Sequence, residues 1–119
     1  MIKALKLLPG EKPKEVEIGT DLASLQAEVE GLIEFTYPFD DNAIVIGNEE
    51  AKLINMKGNR RINGSVYAGP LLIVGDDGCG DLKSLTTEQL QKYAKMFETP
   101  EDISDEEVAN DMFVRFIAW

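Results

Sequence analysis

Two stretches of this chain gather side chains able to grip a ligand, and none gathers side chains able to transform one. Asn48, Glu49, Lys52, Asn59, Arg60 and Arg61 fall in one short polar segment, and Arg60-Arg61 is the compact basic patch of an acidic chain. A guanidinium fork matches phosphate and carboxylate alike, so this segment suits a clamp on an anionic ligand. The competing reading is that both arginines pair with the protein's own carboxylates. The second stretch is the loop Gly75-Asp76-Asp77-Gly78-Cys79-Gly80-Asp81. It lacks the Lys-Ser/Thr ending of a phosphate-binding loop, the G-x-G-x-x-G spacing of a dinucleotide site, and the alternating acids with a twelfth-position Glu of a calcium loop. Its glycines fit a strand-to-helix turn, and Asp76, Asp77 and Asp81 are its candidates for a weak divalent site. Neither a resident metal nor a cofactor is implied.

Histidine is absent. That removes the commonest general base, every Ser-His or Cys-His nucleophile pair and most zinc or iron sites. Pairs of Asp and Glu can still move protons, but spacing singles out no pair among 22 carboxylates. The expectation is a protein that is not an enzyme. Cys79, the sole cysteine, has no cationic sequence neighbour to lower its pKa and reads as an ordinary thiol; a single cysteine also excludes an internal disulfide.

Acids outnumber bases 22 to 12, for a net charge of −10. Such a field repels phosphate backbones, so direct nucleic-acid binding is not expected. Residues 98–111 carry seven of the acids and no base, which reads either as a solvated face or as a surface for a basic protein partner. The stripe Met112, Phe113, Phe116, Ile117 and Trp119 is apolar enough to close a core. Otherwise it is an association surface, by helix-in-groove docking or as a homodimer.

The elements that must position these residues follow from periodicity. The 119 residues, 44% of them hydrophobic, suit one domain. In MIKALKLLPGEKPK the prolines, glycine and lysines break the apolar run before it reaches signal-peptide or membrane length, so a cytoplasmic protein with no membrane association is expected. Residues 2–8 and 14–18 alternate as strands around Pro-Gly turn chemistry, giving an opening hairpin. Asp21 or Thr20 caps a helix over residues 21–30 with Leu22, Leu25 and Val29 inward and Gly31 as its stop. Residues 32–39 and 42–46 read as strands; 47–70 reads as loop-rich with one helical turn over 49–53. Leu71–Val74 reads as a central strand buried on both faces. Thr86 with Gln89 forms a capping box stapled by Leu85 and Leu90, opening a helix with Tyr93, Ala94 and Phe97 inward. Ser104 with Glu107, stapled by Ile103 and Val108, repeats the device and opens a helix through residue 117. The fold class is α+β: a mixed or antiparallel sheet of about five strands with two to three helices, including one at the C-terminus. Residues 1–97 form the domain; 98–119 form an acidic linker and an amphipathic helix packed on it or used for association.

The opening MIKALKLLPGEKPKEVEI, then AIVIGNEEAKL, NRRING, AGPLLIVGDDG and SLTTEQLQKYAKMF, together resemble a family of small uncharacterised proteins of phages, conjugative elements and Gram-positive bacteria, known as a domain of unknown function. The positions that carry the resemblance are Asn48, Glu49, Lys52, Leu53, Asn59, Arg60, Gly69, Gly75, Ser84 and Leu85, with Ala51 where the pattern has glycine. It spans residues 1–97, implies a mobile-element origin in a bacterial cytoplasm, and adds weight to the Asn48–Arg60 segment without bringing an activity. The function expected is that of a non-enzymatic accessory protein that binds another protein, such as a host-defence or nucleic-acid-handling protein. The alternative is a small-ligand or nucleotide-binding domain using Asn48–Arg61 and the Gly75–Asp81 loop.

Overall fold

The run Leu71–Asp76, continuous in apolar residues, organises the whole molecule. In the computed structural model, which describes residues 1–117 with side chains as far as Asp111, the chain forms β1 (Ile2–Leu7), β2 (Lys14–Ile18), α1 (Leu22–Val29), β3 (Ile33–Thr36), β4 (Ala43–Asn48), β5 (Gly58–Ile62), β6 (Ser65–Ala68), β7 (Leu71–Asp76), β8 (Leu82–Lys83), α2 (Thr87–Met96) and α3 (Asp105–Ile117). The main sheet is antiparallel, in the order β2-β1-β7-β4-β3, with β8 added to β7 beyond the end of β1. Strand β7 lies at its centre, and its side chains alternate between two cores. Leu71 and Ile73 join Leu5, Leu7, Val45, Tyr93 and Phe97 under α2. Leu72 and Val74 join Ala4, Ile18, Leu25, Val29, Ile44 and Ile46 under α1. Burial on both faces explains why β7 reads as a continuous apolar run and β2 as an alternating one.

Helix α2 starts as its residues dictate. Thr86 accepts from the Gln89 N–H at 3.1 Å while the Gln89 side chain accepts from the Thr86 N–H at 3.0 Å. Helix α1 is capped by Asp21, whose carboxylate accepts from Ser24. Its end differs from the expected glycine stop: Glu30 itself takes the left-handed conformation, φ 64°. Gly31 serves a different purpose, since a Cβ there would lie 2.6 Å from Asn48 Nδ2. Two expected elements also change. The strand expected over 32–39 narrows to Ile33–Thr36, and the segment 47–70 contains an antiparallel hairpin, β5–β6, in place of loop. Asn63 and Gly64, both at positive φ (51° and 80°), make its tight turn.

The hairpin packs on the α2 side of the sheet and supplies the floor for α3. Ala51, Val66, Ala68, Ile103 and Val108 form a third apolar cluster there. Gly58 permits this closeness, because a Cβ on it would meet Ile103 Cβ and Cγ2 at 2.7 Å.

Candidate functional site

The segment singled out by its polarity divides into an inward and an outward set. Asn48 is buried and its amide donates to the carbonyl oxygens of Val29 and Glu30, which closes the C-terminus of α1 against the sheet. Asn59, fully buried, donates to Leu7 O at 2.9 Å and Gly69 O at 2.8 Å, tying β5 to β1 and to the β6–β7 connection. Arg60 is also fully buried. Its guanidinium donates to Asn59 O and Oδ1, to Glu11 O at 2.7 Å and to Phe97 O at 3.0 Å, so one side chain joins the β1–β2 turn, β5 and the end of α2. Burial lowers its pKa from the ordinary guanidinium range. Its Nε is a buried nitrogen without a hydrogen-bond partner. Asn48, Asn59 and Arg60 are therefore pins between elements, and none presents a polar atom to an incoming anion.

Arg61 faces out and meets the protein's own acids. It pairs with Glu101 at 2.8 Å and Glu107 at 2.6 Å, while its backbone N–H donates to Glu101. The guanidinium holds the Glu107 carboxyl below its ordinary 4.5, and the two carboxylates raise the arginine in turn. This explains a departure in the capping of α3. Ser104 caps the Glu107 N–H at 3.1 Å, but the Glu107 side chain goes to Arg61 instead of back to the cap. Lys52 pairs with Asp111, and Lys57 lies 4.0 Å from Asp105. The basic residues of 52–61 and the acids of 101–111 thus answer one another across the third apolar cluster. Glu49 stays exposed beside Glu50.

The Gly75–Asp81 loop is a turn between β7 and β8, not a direct passage from strand to helix. Asp76 accepts from the Gly78 N–H, and Asp77 accepts from the N–H groups of Cys79 and Asp81. These carboxylates cap their own turn. Among the described residues no group of three or more His, Cys, Asp and Glu is placed to hold a metal. Cys79 is exposed. The loop and the Asn48–Arg61 segment do not form one site. Met112, Phe113, Phe116 and Trp119 lie outside the residues whose side chains are described.

A cavity of ≈ 310 Å³ opens between Pro9-Gly10, Lys57-Gly58 and Pro100–Ile103, with Lys57, Glu101 and Asp102 on its rim. A separate polar cluster sits at α2: Tyr93 donates to Asp41 at 2.8 Å and Lys92 reaches the same carboxylate at 3.3 Å. The Tyr93 hydrogen bond, more than the lysine, holds Asp41 below its ordinary 3.8, and burial raises Tyr93.

What sequence reasoning passed over is a second acidic reserve, larger than the C-terminal one. Residues 15–51 contain ten acids and no Lys or Arg. Of these, Glu28 pairs with Lys6 and Asp41 with Lys92, whereas Glu30, Glu34, Asp40, Glu49 and Glu50 have no ion-pair partner among the described residues. Large apolar side chains share this stretch: Leu32, Phe35 and Tyr37 are 50%, 41% and 63% exposed. The uninterrupted absence of bases was the signal that could have found it.

Residues 2–98 match the model of the domain of unknown function DUF3846. The chain belongs to that family. No curated protein and no solved structure matches it. The family match ends where the acidic connection to α3 begins, so β1–β8 and α1–α2 are the family's share of the fold and α3 packs on it from beyond. No helix among the described residues is long and apolar enough to cross a membrane.

Proposed function

We infer that this chain is a non-enzymatic accessory protein of a phage or mobile element, working in the bacterial cytoplasm by binding another protein. The observation that carries this reading is the division of labour among polar residues. Asn48, Asn59 and Arg60 are engaged inside the fold and Arg61 is held by the protein's own Glu101 and Glu107, while residues 15–51 expose unpaired acids interleaved with large apolar side chains. An acid-rich, partly apolar surface suits the capture of a basic protein, and charge of one sign raises the rate of encounter with its opposite. The phage or mobile-element setting rests on the sequence resemblance alone, and host-defence and nucleic-acid-handling proteins are the partner classes it favours.

Affinity capture from bacterial lysate, with bound proteins identified by mass spectrometry, tests the reading. A partner released by moderate salt supports it; recovery of nothing above an empty-resin control removes it. The ligand-binding reading draws on the cavity beside Lys57. A nucleotide at 100 times its Kd would stabilise the fold by about 2.7 kcal/mol, which a thermal-shift panel detects.

A further inference from the structure

We propose that the outer edge of β3 is a strand-addition site, taking an extended segment of a basic partner protein in which Lys or Arg alternates with apolar residues. The proposal rests on the protein-binding reading above and gives it a place and a chemistry.

The register of β3 exposes the backbone for this purpose. Glu49 donates its backbone N–H to Leu32 O at 2.8 Å, continuing the β3–β4 ladder. Antiparallel pairs alternate between hydrogen-bonded and non-hydrogen-bonded partners, so Glu34–Gly47 and Thr36–Val45 are the bonded pairs that follow. Ile33 and Phe35 lie between them and turn their N–H and C=O groups away from β4. No strand lies beyond β3 in the sheet order, and these groups have no partner among the described residues.

The two free edges of the sheet are treated differently. Strand β2 carries Lys14, Glu15 and Glu17 within five residues, the charge-laden sequence that discourages pairing. Strand β3 carries Glu34 alone, and half-exposed Phe35 stands on the α1 face directly across from Ile46. An added strand would cover the Phe35 ring while bonding to the open backbone, the usual division between affinity and specificity in this mode of recognition.

Charge selects the occupant. Glu30, Glu34, Glu49 and Glu50 surround the start of β3, in a stretch with no basic residue from 15 to 51. A second copy of a chain with net charge −10 would bring the same acids against them. A basic segment neutralises them.

The test uses an acetylated, amidated peptide of about six residues, the length of an ordinary strand, alternating Lys and Val, with a Glu–Val peptide as its counterpart. Amide hydrogen exchange of the full chain is followed by NMR. The Lys–Val peptide should slow exchange at Ile33 and Phe35 by roughly tenfold or more, and the Glu–Val peptide should not. Two further Lys–Val peptides, N-methylated on one or the other alternate set of amides, keep the charge but remove one row of donors; one should bind and the other fail. Glu34→Lys and Phe35→Lys, checked for folding by circular dichroism, should each weaken the Lys–Val peptide. Equal binding by both methylated peptides, or protection appearing at β2 while Ile33 and Phe35 stay open, would overturn the proposal. So would a dimer by sedimentation with those two amides already protected, since a second copy would then hold the edge. If the peptide fails while lysate capture still yields a salt-released partner, the protein-binding reading survives and only the β3 site falls.

Discussion

Replacing Arg60 with Met tests whether this buried guanidinium is a structural pin. Methionine has similar length and no charge, so packing is largely kept while every hydrogen bond is lost. Four acceptor contacts disappear: Asn59 O, Asn59 Oδ1, Glu11 O and Phe97 O. The Glu11 and Phe97 carbonyls matter most, because they belong to distant elements; Phe97 O is buried, and a buried acceptor left bare costs about 1–3 kcal/mol, whereas Glu11 O lies in a half-buried turn and costs less. Against this stands a gain, since the variant no longer removes a charge from water, and the wild-type Nε is itself unsatisfied. The net loss expected is about 3 kcal/mol, taken from a total that for a domain of this size is about 5–15 kcal/mol, so the variant folds and can be measured. Equilibrium unfolding in urea, with a slope of about 2 kcal/mol/M, should show a midpoint lower by about 1.5 M and an unchanged slope. A midpoint within about 0.3 M of the wild type would show that the network contributes little and that Arg60 is not a structural pin.

Other expectations follow from the same contacts. Gly58→Ala should lose about 1–3 kcal/mol through overpacking, and adding Ile103→Ala should make the double variant less unstable than the sum of the two, because the new Cβ meets Ile103 at 2.7 Å; additive losses in thermal unfolding would contradict this. Arg61→Glu places an acid against Glu101 and Glu107, so limited proteolysis should cut between residues 98 and 104 sooner, and an unchanged digestion pattern would show that the apolar contacts alone hold α3. The folded state keeps Asp41 below 3.8 and Glu107 below 4.5. The stability they contribute is therefore complete above those values and is lost as pH falls through the lowered folded pKa. Asp41→Asn should flatten that acid limb in a pH series of unfolding midpoints, and an unaltered limb would assign it elsewhere.

The fold was legible where local rules and tertiary structure agreed. The opening hairpin, the Thr86–Gln89 capping box and the two-faced burial of Leu71–Val74 each rest on a pattern that needs only a few neighbouring residues. The β5–β6 hairpin was hidden because Asn59 and Arg60 look like loop residues until Leu7, Gly69, Glu11 and Phe97 supply their acceptors. Its Asn63-Gly64 turn was the local clue. The same cause obscured the site. Arg60 and Arg61 are adjacent and chemically alike, yet alternation along β5 sends one into the protein and the other to Glu101 and Glu107, and sequence alone does not say which face is covered.

The position of β7 in the chain also governs the order in which the molecule can be built. Its partners β1 and β4 both precede it, and the two ladders it joins share no bond until residues 71–76 are made. Before then the N-terminal half has only the β1–β2 and β3–β4 pairings to draw on, and a two-stranded hairpin alone is marginal in water. Sheet closure depends on a late, long-range encounter, which makes folding slow for a chain of this size and exposes its nascent form to aggregation.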